Sequence, residues 1–186
     1  MTTPAGGYYH IYNRGSNRDP IFLSDDNYLY LLKQIKRLLP TSAIIIVAYC
    51  LMPNHYHFLL RAESVSAASQ FIRRLFISYT QAFNRQHRRS GTLFEGRAKR
   101  VQIDGERYAI HLCRYIHLNP VVSGLVSAPE DWSYSNYLEW AGKRGGTLWD
   151  RDLVQQYFPK PQDYEKFIHS SIENAMAAKI KRYLMD

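Results

Sequence analysis

Residues 43–61, AIIIVAYCLMPNHYHFLLR, hold two apolar, β-prone runs separated only by Met52-Pro53-Asn54, and no other stretch limits the possible folds as much. The first run, Ala43 to Leu51, is β-branched at consecutive positions, the pattern of a strand buried on both faces. So short a link predicts that the second run, His55 to Arg61, returns antiparallel beside the first. Successive side chains of a strand point to opposite faces, so His55 and His57 share one face and Tyr56 and Phe58 the other. Two imidazoles held side by side suit a metal ion; structural or solvated histidines are the plainer reading of the same spacing.

The other patterns fall into order around this hairpin. Tyr8 to Asn13 reads as a strand ending at the turn signal Arg14-Gly15-Ser16-Asn17. Apolar residues then recur at helical spacing from Asp26 to Leu39, with Ser24 and Asp25 as N-cap candidates and Pro40 as the stop. A long helix is predicted over Ser66 to Arg88, broken by Ser90-Gly91, and a fourth strand over Ala98 to Ile103. A last core helix is expected from Glu106 to Asn119, stopping at Pro120. Strand, helix, strand, strand, helix, strand predicts an α+β, ferredoxin-like βαββαβ core, an antiparallel sheet with helices on one face, plus an additional helix.

Length supports one domain, expected over 1–141, with a helical C-terminal extension over 142–186 beginning at the Gly142–Gly146 linker. Short helices are expected over Ser133 to Trp140 and Asp150 to Phe158, and a helical apolar stripe runs from Tyr164 through Phe167 and Ile168 to Leu184.

The net charge of +8 favours an anionic partner, nucleic acid before membrane. From Arg61 to Arg107 ten basic residues stand against four acidic ones. Nine of the ten are arginine, which grips phosphate in a planar fork; a solvated helix face is the bland alternative. Cys50 and Cys113 sit in apolar surroundings without metal-ligand spacing, no leader-like segment opens the sequence, and the longest apolar run is too short to span a bilayer. A cytoplasmic protein without a membrane segment is expected.

The helix after the fourth strand carries Arg114 to Pro120, RYIHLNP. Its i,i+4 spacing puts Tyr115 and Asn119 one turn apart on one face, with His111 on the same stripe. Two imidazole nitrogens and one amide oxygen make a three-ligand site with open positions, which suits catalysis better than structural binding. An ion there polarises a phosphoryl oxygen, and a tyrosine one turn away is placed for in-line attack. Taken singly, Tyr115 reads as a half-buried helix aromatic and Asn119 as a cap before proline.

MPNHYHFLL resembles the histidine-hydrophobe-histidine signature of the HUH single-tyrosine transposases, with Tyr56 in the middle, and RYIHLNP resembles their tyrosine helix. HIYNRGSNR, the GTLFEGR loop from Gly91 to Arg97, and DWSYSNY from Asp131 to Tyr137 are similar to one branch, the REP-associated tyrosine transposases. The resemblance spans Tyr8 to Tyr137 and implies cleavage and rejoining of single-stranded DNA at hairpin-flanked sites. It implies that His55, His57 and Asn119 bind Mg²⁺ or Mn²⁺ and that Tyr115 forms a 5′-phosphotyrosine link. Ligand softness alone points to Zn²⁺ instead. The third ligand of the wider superfamily is often Gln, and Asn119 is shorter.

For DNA contacts the candidates are Asn13 and Arg14 after the first strand, the cluster Arg85, Arg88 and Arg89, and Arg97, Lys99 and Arg100. The expected partner is single-stranded DNA with palindromic hairpins, and monomer and homodimer both stay open. The rival from another class is a non-catalytic nucleic-acid-binding module on the same element order, or a regulator that binds its own hairpins. A cyclic phosphoesterase is disfavoured by the lack of a second His-x-Thr or His-x-Ser motif.

Overall fold

The structure is a computed structural model and describes residues 6–170. Its elements are β1 (Gly7–Arg14), α1 (Asp25–Leu38), β2 (Ile44–Met52), β3 (His55–Ala62), α2 (Val65–Gln86), β4 (Lys99–Ile103), α3 (Glu106–Val122), α4 (Tyr137–Trp140), α5 (Arg151–Tyr157) and α6 (Pro161–His169). The strands form one antiparallel sheet in the order β2-β3-β1-β4. This is the ferredoxin-like order expected from the element pattern. No helix among the described residues is long and apolar enough to cross a membrane.

Each face of the sheet has its own core. Tyr9 and Ile11 of β1, Ile46, Tyr49 and Leu51 of β2, and Tyr56, Phe58 and Leu60 of β3 pack against α1 and α2. On the other face Val47, Ala48, Cys50 and Met52 of β2, with Leu59 of β3, pack against α3. Cover on both faces explains why β2 is apolar throughout. Complete burial of a side chain such as Phe58 contributes about 2–3 kcal/mol.

β2 is bulged at Val47, since Ile46 pairs with Leu60 but Ala48 with Leu59. The carbonyl of the extra residue accepts from Asn136 Nδ2 (3.0 Å) and Trp140 Nε1 (3.2 Å). Ser133–Asn136, expected to be helical, instead forms a turn and an isolated bridge, Ser135 with Cys50, at the free edge of β2. There Leu51 N donates to the Tyr134 carbonyl (2.9 Å) and Asn136 N to that of Tyr49 (3.3 Å). Covering an unpaired strand edge wins over local helix propensity, and only Tyr137–Trp140 is helical.

α3 also departs from expectation, running through Pro120 to Val122. A proline in the last turn forfeits one backbone hydrogen bond, but the turn closes through Ser123 N to Asn119 O (2.9 Å) and Leu125 N to Pro120 O (2.9 Å). Asn119 therefore lies within the helix. Leu153, Val154, Phe158, Tyr164 and Ile168, all beyond Gly142, join the α3 core. The continuation of the apolar stripe to Leu184 lies outside the described residues.

Candidate nucleophile and metal-ligand site

β3 turns Tyr56 into the α1–α2 core and holds His55 and His57 on the other face, beneath α3. His57 is fully buried, while Asn119 of α3 is 6% exposed. In this arrangement the Asn119 carboxamide lies between the two rings, its Nδ2 donating to His57 Nε2 (3.4 Å) and its Oδ1 facing His55 Nε2 at 3.2 Å. Tyr115, one turn earlier, stands edge-on to His57 with ring centroids 5.8 Å apart, on the same face of α3 as Asn119. Strand and helix thus bring Tyr115, His55, His57 and Asn119 together.

The far side of each imidazole is held as well. His55 Nδ1–H donates to Asn54 Oδ1 (2.7 Å), and Asn54 Nδ2 donates in turn to the Arg18 carbonyl (3.2 Å), which fixes which way round that amide lies. His57 Nδ1 is 3.1 Å from Nε2 of fully buried His10. With His55 Nδ1–H committed to Asn54, its Nε2 lone pair and Asn119 Oδ1 meet as two acceptors. A cation reconciles such a pair, so these donors fit a divalent ion with open coordination. Among the described residues no group of three or more His, Cys, Asp or Glu is arranged to hold a metal; the side-chain oxygen nearest His55 Nε2 on the α3 side is Asn119 Oδ1.

Burial, reinforced by His10 and His55, holds His57 well below the usual imidazole range. Burial and Arg14 lower His55, opposed by the Asn119 oxygen, which would accept from the protonated ring at Nε2. Both rings are therefore neutral at pH 7, the form that binds a metal. Burial pushes the Tyr115 phenol above its ordinary 10, partly offset by the neighbouring Asn119 amide. As it stands, this phenol is a weak nucleophile at neutral pH.

The DNA-contact candidates divide. Asn13 is buried, its Nδ2 donating to the Gly96 carbonyl (3.1 Å) and its Oδ1 accepting from Arg14 N (2.9 Å). Arg14 forks onto Glu95. Arg85, Arg88 and Arg89 cap the exposed end of α2, with Arg89 lying 5.7 Å from the Phe83 ring centroid. Lys99 lies over the Tyr12 ring (6.0 Å) on the α3 side, whereas Arg97 and Arg100 line a groove on the α2 side.

Arg18, His10 and Asn54 are the residues that sequence reasoning passed over. Arg18 and Arg14 border a cleft of about 570 Å³ with His55 on its wall. Arg18 and Asn17 both adopt left-handed backbone (φ 62° and 57°), a strained pair of a kind that gathers at functional sites. The alternation of Tyr8, His10 and Tyr12 across β1 was the available signal for His10.

The family described as Transposase IS200 like matches residues 5–119. Among solved structures, a REP-associated tyrosine transposase bound to a REP hairpin shares 18% identity at a TM-score of 0.58, over 78% of this chain and 88% of the other. A putative transposase from Deinococcus radiodurans R1 also shares 18% identity, at a TM-score of 0.43 over 59% of this chain and 87% of the other. No curated protein matches the chain.

Proposed function

The chain belongs to the IS200-like transposases, and from that premise we propose that it cleaves and rejoins single-stranded DNA beside hairpins through a 5′-phosphotyrosine intermediate. The observation that carries this reading is the convergence of His55, His57 and Asn119 with Tyr115 in one place. A binding module has no use for that alignment. Hairpin DNA as partner is supported by the ligand of the structural relative.

His55 Nε2, His57 Nε2 and Asn119 Oδ1 would hold Mg²⁺ or Mn²⁺. A divalent cation there supplies Lewis-acid polarisation of the scissile phosphate and stabilises negative charge near the phenol. The rest falls to the chain's own groups. His10 and Asn54 orient the two imidazoles, and Asn119, one turn along α3, acts to lower the Tyr115 phenol against its burial. Tyr115 Oη attacks phosphorus in line as the P–O3′ bond breaks. The phenol proton is lost, the departing 3′ oxygen gains one, and the 5′ phosphate stays on Tyr115. Attack by a 3′-hydroxyl reverses the step and rejoins a strand.

The test is strand cleavage of a labelled oligonucleotide carrying a hairpin and an unpaired flank. Tyr115→Phe is expected to abolish cleavage, and His57→Ala to lower it by about a hundredfold or more at equal metal concentration. Undiminished cleavage by Tyr115→Phe removes the nucleophile, and undiminished cleavage in excess chelator removes the metal.

A further inference from the structure

A groove of about 760 Å³ lies between α2, β4 and the Gly91–Arg97 loop. It is on the α1–α2 side of the sheet, behind the histidines. Its floor is apolar, with Phe76 beneath and Phe94 and Ile77 reaching the surface, Ile77 being 49% exposed. Arg73, Arg97 and Arg100 stand around it, and no carboxylate lines it. In the β1–β4 register, Arg100 pairs with Ile11 and Lys99 with Tyr12. Adjacent residues of the edge strand therefore carry positive charge to opposite faces of the sheet.

We propose that this groove binds an unpaired stretch of DNA, with bases against Phe94 and Ile77 and phosphates on Arg73, Arg97 and Arg100. Three arginines without a carboxylate select a polyanion. The apolar floor selects among polyanions: a duplex presents phosphates and base edges and gains nothing from it, whereas unpaired bases offer faces that stack. A pocket of this size is in the range that encloses a small organic ligand, and a flipped or unpaired nucleotide is of that scale. Lys99 extends the positive track round the β4 edge toward the Tyr115 face. The inference takes from the proposed function only that the ligand is DNA with an unpaired flank.

The experiment compares binding of two fluorescent hairpins, one blunt and one with a single-stranded flank, by anisotropy in chelator, where no cleavage is needed. Ile77→Glu/Thr80→Glu places two carboxylates on the α2 rim. It is expected to weaken binding of the flanked hairpin about tenfold and leave the blunt hairpin unchanged. Leu29→Glu, on exposed α1 outside the groove, controls for charge. Should the double variant fail to fold, Arg73→Ala reads the same site, lowering the salt slope of flanked-hairpin binding by about one and sparing the blunt hairpin. Equal weakening of both hairpins assigns the groove to duplex and overturns the proposal, as does no weakening. A change in the free protein's sedimentation on substitution also overturns it, since a second copy then fills the groove. Loss of cleavage in Tyr115→Phe leaves this measurement untouched.

Discussion

An imidazole buried beside two others keeps a neutral ring, and His57 is held in that state from both sides, by His10 at Nδ1 and Asn119 at Nε2. Its partner His55 depends on Asn54 in the same way. Removing such an outer hydrogen bond typically costs ten- to a hundredfold in metal affinity. Asn54→Ala is therefore expected to weaken Mn²⁺ binding by about that range in titration calorimetry, with secondary structure intact. Unchanged affinity would mean that Asn54 does not orient His55. The period of a strand made His55 and His57 legible, because alternation alone sets their face. His10 was not, because its contact depends on how β1 pairs with β3, and register is written in no single segment.

α3 carries both Tyr115 and Asn119, and its roll is fixed from behind by a buried network. His117 Nε2–H donates to Asn136 Oδ1 (2.9 Å), and its Nδ1 accepts from Tyr164 Oη–H (2.5 Å). The DWSYSNY segment and α6 thus meet on the same histidine. The helical spacing of Tyr115 and Asn119 could be read from sequence, but the extension of α3 through Pro120 could not. Local rules favour a stop before proline, and the closing hydrogen bonds come from Ser123 and Leu125. Ser133–Asn136 departs from its helical pattern for a related reason, since its backbone hydrogen bonds go to β2.

Burial holds His117 down at about 4, against an opposing hydrogen bond to Asn136. The unfolded chain takes up that proton near 6.5 and the native state only near 4, so stability falls as pH drops through this window. The loss amounts to about 2 kcal/mol at pH 5 from this group, and His57 acts in the same direction. Thermal melts should therefore fall from pH 7 to pH 5, and His117→Gln should shrink the fall. An unchanged fall in that variant would contradict the assignment.

Across the whole molecule the sheet separates two surfaces, one holding the His–Asn–Tyr cluster and the other the arginine-lined groove. The segment beyond Gly142 is tied to the first by Arg61 Nη2 and Asp150 Oδ2, 2.8 Å apart and almost wholly buried. Burial raises the Asp150 carboxyl by more than Arg61 lowers it, so this pair anchors the segment without repaying its full desolvation. Arg61→Met alone is expected to cost about 3–5 kcal/mol by stranding the carboxylate, and Asp150→Asn in the same chain to recover most of it. Asn at position 150 retains an oxygen to cap α5, as Asp150 does at Leu153 N (3.2 Å). Chemical denaturation of the single and double variants measures both.

The ten-to-four excess of basic over acidic residues between Arg61 and Arg107 points to an anionic partner. It did not foretell that Lys99 and Arg100 serve opposite faces, which follows from the placement of β4 at the sheet edge. The measurement that bears most directly on a shared His–Asn–Tyr centre is peptide mapping of the covalent product. The protein is incubated with a hairpin substrate nicked to trap the intermediate, digested, and analysed by mass spectrometry. The expected product is a nucleotide phosphate on Tyr115, formed with Mn²⁺ or Mg²⁺ and absent in chelator or in His57→Ala. An adduct on another tyrosine, or the same yield without metal, would contradict it.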